Sequence, residues 1–285
     1  DIVGKSGIEQ YMELKLQGTK GSKKIAVDSV GKILDVEFVI EPIPGNDIYL
    51  SIDKNLQIAC YNILEQKLAG ILLEKITNTK IYTSTGRAKD IKIPIYSVYY
   101  ACFNNNLIDT EHFTAEDASE LEKSIQQRHE KKMASVLSML ENELLDENAK
   151  PYKELSLEMK NYMSFIVGKE CLMGENEILS PDSSDPMYTA WHDDETISLK
   201  TYLEYAISMN WVNVSAIAPD TPYLDSEEIY HALVKYITES LAENAKFGQS
   251  LYRYMLLEDS ISGQETAMLL YEQGVLDPTD DEEYA

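Results

Sequence analysis

A chain of 285 residues, 44% hydrophobic and 26% charged, has room for about two domains with cores of their own and is too apolar to be disordered throughout. Its formal net charge of −24 is the opposite of the basic footprint that nucleic-acid binding needs. No apolar run reaches the ~18 residues of a membrane span, and Cys60, Cys102 and Cys171, with no Cys-x-x-Cys pair, argue against both a disulfide framework and a zinc site.

The charge is divided unevenly. Residues 1–100 carry 13 Lys+Arg against 12 Asp+Glu, whereas residues 101–285 carry 12 against 37, a net of −25. Two modules with different surfaces are therefore expected.

In the first module, Ser6-Gly7-Ile8-Glu9 has capping-box spacing and predicts a helix to Leu16, stopped at Gly18. Lys24 to Asp28 reads as a strand, Gly31-Lys32 as a turn and Ile33 to Ile40 as a second strand. After a loop at Pro44-Gly45-Asn46-Asp47, Ile48 to Ile52 reads as a third strand. Asp53 caps a long helix with an inward stripe of Leu56, Ala59, Cys60, Ile63, Leu64, Lys67 and Leu68. Cys60 and Cys102, set among apolar residues, are expected to be buried free thiols. Residues 77–93 are polar and read as a linker or short irregular hairpin.

From Pro94 onward the pattern is helical. One helix carries Ile95, Val98, Tyr99 and Cys102 on a face. Thr114-Ala115-Glu116-Asp117 is read as the cap of a helix of about 30 residues, with its stripe at Leu121, Ile125, Met133, Val136, Leu137, Leu140 and Leu144. Leu155 to Leu172 is the next helix, and residues 174–197 read as irregular and acidic. Ser198 caps a helix through Trp211; Asp225 to Glu228 caps another; Ser262-Gly263-Gln264-Glu265 opens a last one, ended by Gly274. The fold class expected is α+β, predominantly α: a small α+β region over 1–76 with a short antiparallel sheet, a linker over 77–93, an acidic all-helical module over 94–276 and an acidic tail over 277–285.

The first 68 residues carry a pattern in a fixed order. It comprises Gly4-Lys5-Ser6-Gly7-Ile8-Glu9, then Tyr11, Leu16, Gly18 and Gly21, then Pro44-Gly45, then Leu50-Ser51-Ile52-Asp53 with Leu56-Gln57. This resembles the C-terminal part of the pedestal, or dimerisation, domain of class B penicillin-binding proteins, with Ser51 where the family usually has Thr. The family-motif residues are thus Gly4, Ser6, Gly7, Ile8, Glu9, Pro44, Gly45, Asp53, Leu56 and Gln57, and the roles expected of them are structural. Gly4 and Gly7 allow a tight approach, Asp53 caps, Leu56 docks its helix on the strands, and Gln57 bonds a neighbouring backbone. The resemblance covers about a quarter of the chain and is lost at Thr77-Asn78-Thr79-Lys80, where the family continues into its transpeptidase domain. The helical part looks like the insertion of large clostridial relatives.

The three strings that transpeptidation needs also occur here: Ser29-Val30-Gly31-Lys32, Ser208-Met209-Asn210 and Lys5-Ser6-Gly7. Their order and context are wrong, so no catalytic residue is assigned. His112, His129, His192 and His231 have no metal-ligand spacing and read as surface histidines. His192-Asp193-Asp194-Glu195 is the densest ligand-like group, but it lacks a calcium-loop pattern, and no metal or cofactor is expected. The chain holds 19 Tyr against 5 Phe, which suits helix stripes with a ring inside and a hydroxyl at the rim.

On the resemblance, the chain is expected to be a non-catalytic piece of a longer, membrane-anchored protein whose D,D-transpeptidase domain lies outside it. Its place would be the extracytoplasmic face of the membrane of a Gram-positive anaerobe. The partners expected are other wall-synthesis proteins, the parent's own transpeptidase domain or a second copy, with no nucleic acid and no direct membrane contact. The alternative is an acidic helical enzyme acting on wall glycan through paired carboxylates.

Overall fold

The computed structural model describes residues 3–27, 33–83, 86–87, 90–174, 177–219 and 223–276. The chain divides into two units, residues 1–71 and 72–285. Among the described residues, no helix is long and apolar enough to cross a membrane.

The first unit opens with two short helices, α1 (Gly7–Tyr11) and α2 (Glu13–Leu16), where one was expected. Ser6 precedes α1 but its side chain caps nothing. Gly7 stands at φ 59°, outside the helical region that the first residue of a capped turn occupies. Strands β1 (Ser22–Val27) and β2 (Ile33–Ile40) pair antiparallel, from Ser22 opposite Ile40 to Val27 opposite Ile33, with register shifts after Lys24 and after Ala26. The turn expected at Gly31-Lys32 lies outside the described residues. Ile48 to Ile52 is not a strand: it joins no ladder, and Tyr49 is 91% exposed. Strand-forming side chains alone do not make a strand where the segment does not lie along another strand's edge.

Helix α3 (Lys54–Lys75) begins as expected. The Asp53 carboxylate accepts hydrogen bonds from the amides of Asn55 (2.9 Å) and Leu56 (3.1 Å). Its stripe is not inward, however: Leu56, Ile63, Leu64 and Leu68 are between 58% and 63% exposed, and Cys60 is exposed rather than buried. No described residue of the first unit is buried.

The second unit begins with a small parallel ladder, β3 (Ile76–Thr77) beside β4 (Ile93–Pro94). The polar stretch between them, read as a linker, is held to this unit. Lys80 Nζ donates to the Leu257 carbonyl (2.9 Å) and pairs with Asp259 (2.5 Å), and the Tyr82 hydroxyl donates to the Asp90 carbonyl. Nine helices follow: α4 (Ile95–Asn104), α5 (Glu120–Leu145), α6 (Leu157–Val167), α7 (Pro186–His192), α8 (Leu199–Ser208), α9 (Val214–Ile217), α10 (Ser226–Glu243), α11 (Ala245–Leu257) and α12 (Gly263–Glu272), counted among the described residues.

Their starts follow local chemistry. Reciprocal capping boxes form at Ser119/Glu122, Asp225/Glu228 and Ser262/Glu265. The long helix therefore starts at Ser119, not at Thr114, which closes a 3₁₀ turn at His112–Thr114. Helix α7 lies in the stretch read as irregular; Asp185 caps it, Pro186 takes its first position, and Trp191 is buried against Tyr202 with ring centres 5.7 Å apart.

Two clusters form the core. The larger joins Leu140, Tyr162, Ile166, Tyr202, Leu233, Ile237 and Phe247 from α5, α6, α8, α10 and α11. The smaller joins Phe103, Ile125, Met255, Ile261 and Leu269. Each such side chain contributes about 1.5–3 kcal/mol on burial.

Candidate functional site

The family-motif residues assemble a backbone framework. The end of α2 meets the loop at 43–46: Asn46 N–H donates to the Lys15 carbonyl (2.8 Å), and Thr19 and Ile43 exchange two backbone bonds of 2.9 Å. Gly18 makes the crossing at φ 63°, where a Cβ would run into the Ile43 carbonyl. Gly45 lies so close to α2 that a Cβ there would strike the Leu16 carbonyl. Pro44 thus leads the chain directly into the knot.

A second junction sits at the start of the unit. Gly4 N–H donates to the Glu13 carboxylate (2.8 Å), and a Cβ on Gly4 would stand 2.5 Å from the backbone carbon of Glu9. Asp53 forms the third fixed point, as the cap of α3. Ser6, Ile8, Glu9, Leu56 and Gln57 are exposed. Leu56 therefore does not dock α3 on the strands, which corrects that expectation: no described element of the unit covers its face of the helix. Glu13 and the Thr19–Ile43 bridge have no motif of their own; glycine at 4 is the signal for the first, and glycine at 18 and 45 for the second.

Among the described residues, the transpeptidase-like strings each have surroundings of their own. Ser29 to Lys32 lies outside the described residues. Ser208 donates to the Tyr205 carbonyl of its own helix (2.7 Å), and Asn210 follows in a left-handed turn at φ 57°. Lys5-Ser6-Gly7 opens α1 rather than lying on a strand edge.

Two of the histidines are more than surface residues. His112 Nδ1 lies 3.1 Å from both carboxylate oxygens of Glu122, and its Nε2 lies 3.5 Å from Asp117. The Glu122 side chain is 3% exposed and also accepts from Ser119 N–H (2.8 Å) and Gln273 Nε2 (2.8 Å). The hydrogen bond to Glu122 raises the His112 pKa above 6.5, and the charges of Glu122, Asp117 and Asp109 add to it against some desolvation. Burial pushes Glu122 up, but the bonds from Gln273, Ser119 and His112 outweigh it and hold the carboxyl below 4.5. His129 donates to the Gly248 carbonyl (2.8 Å) and stacks on Tyr252 at 4.6 Å; burial keeps its pKa below 6.5.

The acidic run after His192 is dispersed. His192 pairs with Asp193 (2.8 Å), whereas Glu195 pairs with Lys160 (2.6 Å). Among the described residues, no three His, Cys, Asp or Glu side chains converge to hold a metal ion.

Comparison with known proteins bears on the first unit. Residues 1–50 match the family described as the penicillin-binding protein dimerisation domain. Peptidoglycan D,D-transpeptidase MrdA of Salmonella typhimurium is 36% identical over 72 residues, which is 25% of this chain and 12% of that protein. Penicillin-binding protein 2A of Bacillus subtilis is 40% identical over 68 residues, 24% of this chain and 10% of that protein. Peptidoglycan D,D-transpeptidase FtsI of Buchnera aphidicola subsp. Schizaphis graminum is 41% identical over 64 residues, 22% of this chain and 11% of that protein. The chain thus spans roughly a tenth of the length of the curated relatives it matches. No solved structure matches it.

The similarity to the dimerisation-domain family lies within the first unit, over residues 1–50, and those relatives match about a quarter of this chain. That similarity is to penicillin-binding proteins.

Proposed function

We propose that this chain is a non-catalytic scaffold of a penicillin-binding protein. Residues 1–76 act as its pedestal, residues 94–276 as an acidic spacer and interaction module, and the D,D-transpeptidase chemistry belongs to a domain outside the chain. The scaffold works on the extracytoplasmic face of the membrane, where it positions that domain and engages other wall-synthesis proteins or a second copy.

The observation that carries this reading is the first unit's knot. Gly4, Gly18 and Gly45 hold three backbone segments together with no nucleophile–base pair beside them among the described residues, while the apolar stripe of α3 faces outward. A rigid frame with an uncovered apolar face suits a partner surface better than chemistry. The acyl-enzyme reaction with a β-lactam needs a serine activated by a lysine and oriented oxyanion donors; the Ser208 hydroxyl is instead spent on its own helix.

Labelling with fluorescent penicillin tests the catalytic half of the proposal. The 285-residue chain is expected to take up no label, beside an intact class B penicillin-binding protein that does. A covalent band removed by Ser29→Ala would overturn it. The scaffold half is tested by bismaleimide cross-linking through the exposed Cys60. Cross-linked dimer that grows with protein concentration supports self-association; a product independent of concentration points away from it.

A further inference from the structure

The second unit carries 17 Lys+Arg against 39 Asp+Glu, so a cation that escapes pairing there is conspicuous. Two such cations line one cleft. It has a volume of about 420 Å³ and lies where β4 and the start of α4 face the end of α11. Lys92 comes from the segment leading into β4 and Arg253 from α11; both are exposed, and neither has an ion-pair or hydrogen-bond partner among the described residues.

The rest of the lining is largely spoken for. Lys80 is bound to Leu257 and Asp259 and sits 5.5 Å from the centre of the Tyr96 ring. The hydroxyl of Tyr96 reaches Asp259 at 3.3 Å, and that of Tyr100 donates to Asn104 at 3.1 Å. The Asp259 carboxylate is neutralised by Lys80. What the cleft leaves open is therefore a wall of tyrosine rings and leucine side chains with two uncompensated positive charges.

We propose that this cleft binds a small organic anion whose carboxylate or phosphate lies between Lys92 and Arg253 and whose aromatic or branched body lies on the tyrosine wall. The guanidinium fork matches the paired oxygens of either group, and the ammonium adds a second point charge. The cleft volume falls within the range of small-molecule sites. The unit's overall charge repels anions, but beyond a Debye length of about 8 Å at physiological ionic strength that repulsion is screened, and the two local cations dominate inside the cleft.

The test titrates the full chain with 3-phenylpropionate, phenyl phosphate, inorganic phosphate and the neutral 3-phenylpropionamide, reading tyrosine resonances by NMR. Saturable shifts of Tyr96 and Tyr100 are expected with at least one aromatic anion. Whichever binds more tightly identifies the oxyanion, and the amide and inorganic phosphate should bind at least about tenfold more weakly. Arg253→Gln should weaken binding about tenfold, with a further loss in Lys92→Gln/Arg253→Gln. Both residues are exposed, so the variants should keep the wild-type circular dichroism; Lys235→Gln, on α10, serves as the charge control and should change nothing. The proposal is overturned by an absence of saturable shifts up to millimolar anion, by equal binding of the amide, or by binding that survives the double variant.

Discussion

The two units use the same kind of side chain to opposite ends. Residues 1–71 hold apolar-rich elements with none of their described residues buried, whereas residues 72–285 bury two core clusters. Charge separates them as well: the first unit carries a net −2 and the second −22. Hydrophobic periodicity announces which face of a helix seeks cover. Whether cover exists depends on the elements within reach. In the second unit α5, α8 and α10, though far apart in sequence, pack on one another; in the first, α3 has a strand pair and two short helices for company and keeps its stripe in the open.

The largest effect that would break this contrast is core truncation. Leu140→Ala in the second unit should cost about 2–5 kcal/mol, while Leu64→Ala, at a side chain 62% exposed, should stay within about 0.5 kcal/mol. Urea denaturation of both variants decides it, and a large loss from Leu64→Ala would mean that α3 is covered in solution.

Next comes the knot. Gly18→Ala forces a side chain into a left-handed residue and against the Ile43 carbonyl. Amide hydrogen exchange at Thr19 and Ile43 should speed up at least about tenfold, corresponding to about 1.4 kcal/mol or more of lost local stability. Exchange in the second unit should not change.

A smaller, pH-dependent effect belongs to the second unit alone. The His112 pKa is raised in the folded state, so its contribution is complete below the unfolded value of 6.5 and is lost as pH climbs through the folded one. The Glu122 pKa is lowered, so its contribution is complete above 4.5 and is lost as pH falls through the folded value. Stability from this pair should therefore be greatest between about pH 4.5 and 6.5. Thermal melts from pH 5.5 to 8 should show a decline in wild type that His112→Gln flattens.

Salt should produce the smallest difference. Raising NaCl from 10 to 150 mM shortens the Debye length from ~30 to ~8 Å and should raise the melting temperature of the strongly acidic unit. The first unit should respond little, and an equal response would sink the charge contrast.

The sequence displayed local chemistry well and distant cover poorly. Asp53, Ser198, Asp225 and Ser262 were legible as caps because a cap is decided within four residues. Ser119 was missed because Thr114, five residues earlier, offers the same side-chain chemistry, and the choice between them falls to Glu122, whose burial depends on His112 and on Gln273 from the far end of the unit. Ile48 to Ile52 has strand composition, but pairing is a property of two segments. The glycine pattern in the motif marked the knot without revealing which carbonyls press on it. Lys92 and Arg253, 161 positions apart, had no sequence signal in common.

The ties at Lys80 and Gln273 join parts of the second unit that are far apart along the chain. Lys80 reaches Leu257 and Asp259, and Gln273 brackets Asp109, donating to its carbonyl (3.0 Å) and accepting from its amide (2.7 Å). A ribosome must therefore release almost the whole unit before either clasp can close, so its earliest helices wait, half-packed, for the latest. Pulled from its two ends, the same unit would meet these clasps first, as a lock at the mouth of the bundle rather than a seam along it.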